Sequence, residues 1–225
     1  MKFNDEMSRQ PEALPIVTAH STPAQPQALW SSSDFTLGAG AVIIQPSTGK
    51  ACIIEDFPTA AGRYFLPRGR KDVGESLEAA ALREVYEESG YRASFLPALH
   101  PQRQPRSPEQ RQQASQSLSS RLTTEAFYIM TFPYYDLRRA PTDLKPTTGG
   151  EYVTFWWLCQ IDEDAQPEMG TQMHDEQGYR THLLPFAEAL EKMRSGGDSF
   201  QYRIFKRGLE IWADTKERLE AEAND

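Results

Sequence analysis

One stretch constrains this chain more than any other. From Glu75 to Ser89 the sequence ESLEAAALREVYEES contains no proline or glycine and is rich in strong helix formers, and Gly90 follows as a stop signal. A helix over 75–89, closed by Gly90, is predicted. On it Glu84, Glu87 and Glu88 stand at i, i+3 and i+4, so their carboxylates are expected to project into one volume. Three like charges that close repel unless cations lie among them. Mg²⁺, which takes oxygen ligands, retains waters and bridges to phosphates, fits such a cluster best, with Mn²⁺ as the alternative. Arg83, four residues before Glu87, is placed to pair with it and fix its rotamer. Ala81, Leu82 and Val85 form an apolar stripe expected to press on a sheet, leaving the acids to face an open cleft. A Glu-rich helix face alone is ordinarily just solvated, so the cluster gains meaning only from its surroundings.

The surrounding chain reads as one domain over 34–222. Residues 1–33 are rich in Pro, Ser, Gln and Ala without periodicity and are expected to form a mobile tail. FTLGAGAVIIQ (35–45) and KACIIEDF (50–57) are β-rich runs joined by the turn residues PSTG, a hairpin. PRGRKDVG after Leu66 reads as a polar loop, Tyr91 to Leu99 as a strand, and 101–122 as a Gln/Arg/Ser/Pro-rich insertion looped out of the fold. TEAFYIMTF (124–132), EYVTFWWLCQI (151–161) and GYRTHLLPF (178–186) suit further strands. The consecutive Phe155, Trp156 and Trp157 are expected to point to opposite faces of a buried strand. A segment ALEKM and a helix from about Ser199 to Glu222 complete the pattern. The fold class is therefore α/β (α+β), a mixed β-sheet sandwiched between α-helices.

Charge and cysteine usage limit the partners. Lys+Arg 24 against Asp+Glu 32 gives a formal charge of -8, which argues against a surface built broadly for nucleic acid, so any anion site must be local. Cys52 and Cys159 lie in apolar runs and read as reduced core thiols. No apolar stretch suits a signal peptide or a membrane span, and an intracellular protein, cytoplasmic or nuclear, is expected. The four histidines, His20, His100, His174 and His182, show no zinc-ligand spacing.

In GRKDVGESLEAAALREVYEESGY, Gly69 is followed at fixed intervals by Glu75, Arg83-Glu84, Glu87-Glu88 and Gly90. This resembles the Nudix box, G-x5-E-x7-R-E-U-x-E-E-x-G-U, with U a bulky apolar residue. Only the last position departs, with Tyr91 where Ile, Leu or Val is usual. Seven fixed letters would coincide by chance on the order of once in a million. The resemblance implies a Nudix fold and metal-assisted attack of water on phosphorus in a pyrophosphate. It also implies metal ligation by Glu84, Glu87, Glu88 and the Gly69 carbonyl. A further carboxylate deprotonates the water in the family, and its place varies among members. Here the candidates are Glu84 itself, Glu151, Asp175 and Glu176, with Glu176 in the loop MHDEQGY favoured, so that Arg83, Glu84 and Glu176 form the expected catalytic set.

LPRGR (66–70) resembles the L/F-P-K/R-G signature that precedes the box in enzymes acting on dinucleoside polyphosphates, diphosphoinositol polyphosphates and RNA caps. Arg68, Arg70 and Lys71 are accordingly expected to bind a highly phosphorylated small molecule. The tandem tryptophans and the GY-strand-PF-x-EAL ending are similar to a group of fungal Nudix proteins. Capped RNA is the one nucleic acid that this resemblance leaves open, and a Nudix-fold binding module without hydrolysis is the competing class.

Overall fold

The computed structural model describes residues 17–25, 27–57, 62–113, 118–135, 149–173 and 178–224 of the 225. At its centre lies β1 (Phe35–Gln45), buried on both faces from Gly38 onward. It pairs along its length in parallel with β7 (Gly149–Gln160), Phe35 facing Glu151 and Ile44 facing Gln160. On its other side β1 divides between two antiparallel partners. Ile43 to Gln45 pair with β2 (Lys50–Asp56), whereas Gly38 to Gly40 pair with β4 (Arg68–Arg70). β3 (Tyr64–Phe65) and β8 (Tyr179–Pro185) extend the sheet from β2, and β5 (Ser94–Phe95) and β6 (Tyr128–Tyr135) extend it from β7.

Two helical layers enclose the sheet, and the strand period of two decides which residues meet which layer. Ala39, Ala41, Ile43, Trp157 and Cys159 face α1 (Leu77–Ser89), packing on Ala80, Ala81, Val85 and Tyr91. Val42, Ile44, Trp156 and Leu158 face α3 (Phe186–Gly196) and α4 (Ser199–Asn224), packing on Met193, Ile204, Phe205 and Leu209. Trp156 and Trp157 thus enter different cores, as alternation requires. Tyr91 is buried in the α1 layer, where desolvation pushes its hydroxyl up to about 12; a large ring fills the place of the usual aliphatic residue.

The helix starts two residues later than expected. Glu75 stays outside it, Ser76 is the N-cap and accepts from the Ala79 N–H at 3.1 Å, and α1 ends at Gly90 in the left-handed region, φ 76°. Two sequence expectations fail here for one reason, that short pairings are set by neighbours rather than by propensity. Arg68–Arg70 is a strand and not a loop. Of Tyr91–Leu99 only Ser94–Phe95 pairs with β7, and Ala98 forms an isolated bridge to Thr123.

Within the stretch 101–122, α2 (Pro108–Gln113) is a short helix and a 3-10 turn spans Ser119–Arg121. The Leu118 N–H donates to Glu222 of α4. Of residues 1–33, positions 1–16 and 26 lie outside the described residues. The His20 carbonyl accepts from the Tyr128 hydroxyl and from Arg203. No helix among the described residues is long and apolar enough to cross a membrane.

Candidate active site

The site grows from the way β4 is held. An edge strand presents alternate backbone groups outward, and these must find partners. Lys71 N–H bonds to Leu37 and Ala41 N–H to Pro67, so odd residues of this segment face β1. The groups of even residues turn to α1, whose side chains meet them: Glu88 accepts from the Arg68 N–H at 2.7 Å, and Arg83 donates to the Arg70 carbonyl at 2.8 Å. Gln201 of α4 completes the anchoring by accepting from the Leu66 N–H at 2.8 Å. The segment Leu66–Arg70 is thus fastened at three points, two on α1 and one on α4.

Arg83 organises the acids. Its Nε and one Nη grip both oxygens of Glu75 at 3.0 Å each, and the other Nη reaches Glu84 and Glu87 at 2.8 Å each. With the Arg70 carbonyl, all five N–H donors of the guanidinium are taken. Its ionisation is pushed far up, first by Glu75 and then by Glu84 and Glu87. Conversely, the Arg83 guanidinium beside Glu75, helped by the Asp72 N–H, holds the Glu75 carboxyl below the usual carboxylate range. The expected Arg83–Glu87 pair is present, and the bidentate bond to Glu75, eight residues back, is the one that sequence reasoning missed. Arg83 therefore acts on the acids as a positioning residue.

The acids are not on the arc opposite the apolar stripe. Glu84 and Glu88 are only 7% and 5% exposed and share the buried face with Ala81 and Val85 at i, i+3, i+4 and i+7. They can be there because β4 brings backbone rather than side chains to that part of the helix. A Cβ built on Gly69 would fall within the Glu84 carboxylate, so only glycine admits this approach. The three carboxylates also do not point to one centre. Glu84 and Glu87 meet at Arg83 while Glu88 turns to β4, and no three His, Cys, Asp or Glu side chains among the described residues are grouped to hold one ion. The donor set still fits Mg²⁺, which binds through one or two carboxylates and completes its shell with waters and substrate phosphates. Buried oxygens from Glu84 beside the Gly69 backbone, with Glu87 at the rim, are that kind of set.

These groups line a cleft of about 610 Å³, together with Thr36, Arg68, Arg70, Asp72, Tyr134, Tyr152 and Met173. β4 divides it. Gly69 and Glu84 lie on the α1 side, whereas Arg68 lies on the other, its guanidinium over the rings of Phe132 at 5.6 Å and Tyr152 at 5.9 Å. Burial pushes the Tyr152 hydroxyl up, which keeps it protonated. Tyr134 accepts a long bond of 3.4 Å from Thr36. The aromatic wall was missed because it depends on β6 pairing with β7 in a register that sets Tyr134 against Gly150 and Phe132 against Tyr152.

Of the expected substrate residues, Arg68 and Arg70 line the cleft, but Lys71 does not; its ammonium donates to the Asp72 carbonyl. Glu151, one residue from Tyr152 and so on the opposite face of β7, is outside the lining. Asp175 and Glu176 lie outside the described residues, while Met173, just before them, lines the cleft.

The NUDIX domain profile matches residues 34–207. The mouse protein Nucleoside diphosphate-linked moiety X motif 6 (Mus musculus) is 28% identical over 104 residues, 46% of this chain, which itself spans only 33% of that relative's length. Among solved structures, a NUDIX hydrolase from Nitrosomonas europaea is 19% identical, with 80% of this chain and 88% of that one covered and a TM-score of 0.45. An Ap4A hydrolase from C. elegans is 16% identical, with 80% and 98% covered and a TM-score of 0.41. With a complete box on a helix that clamps β4, and a domain match across most of its length, the chain belongs to the NUDIX domain family.

Proposed function

We propose that the protein is a pyrophosphohydrolase that cleaves a phosphate-to-phosphate linkage in a phosphorylated small molecule, with a divalent cation, Mg²⁺ by preference, held by Glu84 and Glu87 beside the Gly69 backbone. The observation that carries this reading is the buried Glu84 carboxylate against the Gly69 backbone, oriented by an arginine with no donor to spare. When bound, the cation supplies charge neutralisation on the phosphoryl oxygens and eases deprotonation of water. The protein's own part is orientation. Arg83 fixes Glu84 and Glu87, Glu88 holds β4, and Arg68 and Arg70 receive non-reacting phosphates. Water attacks phosphorus, the bridging P–O bond breaks with the electron pair leaving on the departing phosphate, and a carboxylate takes the proton. Glu176, Asp175 beside it, and Glu84 are the candidates for that base.

Of the two substrate classes that the sequence suggests, the aromatic wall favours dinucleoside polyphosphates over diphosphoinositol polyphosphates. Tyr134 and Tyr152 line the cleft and offer ring surface against which a base can stack and an inositol ring cannot. The test is turnover with Mg²⁺ on dinucleoside polyphosphates, diphosphoinositol phosphates, ADP-ribose and capped RNA. Dinucleoside polyphosphates should be cleaved fastest, and Glu84→Gln should lower kcat by about 10²–10⁴-fold. No turnover on any of them overturns the enzyme reading in favour of a binding module. A Glu176→Gln variant within a few fold of wild type makes another residue, Glu84 or Asp175, the base.

A further inference from the structure

A second cavity, of about 600 Å³, opens on the α4 side of the sheet and shares no lining residue with the cleft. β6 and α4 form its floor, and its rim comes from Thr18–Thr22 and His100–Gln104, parts of the two segments that the sequence presents as tail and insertion. Both rims are tied down. The Leu99 N–H donates to Thr215 of α4 at 2.9 Å, and the His20 carbonyl accepts from the Tyr128 hydroxyl and from Arg203.

The lining is electrostatically one-sided. Among the described residues that line it are Arg103, Arg203 and Arg207, and none is a carboxylate, in a chain whose net charge is -8. Arg203 and Arg207 are one turn apart on α4, and both guanidiniums act on the Tyr128 hydroxyl, which burial otherwise pushes up. One acid lies behind the wall, Glu210, at 3.3 Å from Arg207. Beside the charges the cavity presents apolar surface: Phe127 and Tyr128 meet edge-on at 5.7 Å, and Ile129 and Phe200 are 57% and 51% exposed.

We propose that this cavity is a second ligand site for a nucleotide, bound without being hydrolysed. Guanidiniums from two elements suit a phosphate, the aromatic and aliphatic wall suits a base, and the volume lies within the range of small-molecule sites. No carboxylate of the kind that the proposed hydrolysis uses is among the described residues that line the cavity.

The test is calorimetric titration of the full-length chain with ADP, adenosine and inorganic phosphate in EDTA, with parallel activity assays in Mg²⁺. ADP should bind at least about tenfold more tightly than adenosine or phosphate alone, as a guanidinium–phosphate contact added to base stacking requires. Arg103→Gln/Arg203→Gln should lose at least about tenfold in ADP affinity, with hydrolysis within about twofold of wild type, and Arg103→Lys/Arg203→Lys should regain part of the loss. Should the double variant fail to fold, Arg103→Gln alone carries the test and should weaken ADP about threefold or more. No ADP binding, ADP affinity unchanged in the variants, or phosphate binding as tightly as ADP would each overturn the proposal.

Discussion

The two sides of β4 are built on different principles. On the α1 side, Gly69, Glu75, Arg83, Glu84, Glu87 and Glu88 come from 20 consecutive residues, and charged hydrogen bonds that saturate Arg83 tie Glu75, Glu84 and Glu87 together. On the other side, Thr36, Arg68, Phe132, Tyr134 and Tyr152 come from four separate strands and meet through ring contacts and one long hydrogen bond. The first arrangement is rigid and suited to holding charge in fixed positions for chemistry. The second is tolerant of shape and suited to choosing what is held.

Substitutions on the two sides should therefore fail in different ways. The largest effect is expected from Gly69→Ala, whose methyl group must displace either Glu84 or β4: kcat/KM should fall by about 10²-fold or more, with the loss in kcat. Equal kcat would show that the approach of Glu84 to the backbone is not used. Arg83→Lys keeps the charge but cannot span Glu75, Glu84, Glu87 and the Arg70 carbonyl together. It should destabilise the chain by about 2 kcal/mol, a Tm lower by roughly 4–8 °C in a calorimetric scan, and reduce kcat about tenfold.

On the aromatic side, Tyr134→Ala should raise KM about tenfold for a dinucleoside substrate with kcat within a few fold, and leave an inositol substrate unaffected. A change in kcat instead would erase the contrast between the two sides. The smallest effect is a pH dependence. Because the folded Glu75 is held below its unfolded pKa of about 4.3, its contribution to stability is full above that value and is lost as pH falls through the folded value. In EDTA, Glu75→Gln should lower Tm at neutral pH and flatten the drop seen on acidification below about pH 4.3. Parallel curves for the two proteins would mean that the Glu75–Arg83 bond does not titrate with folding.

What was legible in the sequence follows the range of the contacts. The helix that carries the acids, the Gly90 stop and the alternation of Trp156 and Trp157 are local regularities of helix and strand, and each is where its spacing puts it, whereas the common direction expected of the three carboxylates is not found. The strand Arg68–Arg70 was not legible, because a three-residue segment with two arginines has little strand preference and is held by Arg83 and Glu88 from outside. The failure of Lys71 to reach the cleft has the same origin, since the β4–β1 register turns alternate side chains away and Lys71 settles on the Asp72 carbonyl. The separation of acids and apolar stripe into different arcs was wrong for a related reason. Helical periodicity says which residues share a side but not whether the neighbouring element offers backbone or side chains there.

By itself the sequence determined the acid set and its order along one helix, since 3.6 residues per turn leave Glu84, Glu87 and Glu88 no other relation to each other. Only the tertiary structure decided that Glu88 serves β4, that Glu84 is buried against Gly69, and that Tyr134 and Tyr152 stand across from them. Those relations depend on strand register between segments far apart in the chain, as Phe35 and Glu151 are, and register is set by packing of the whole sheet rather than by any one of its strands.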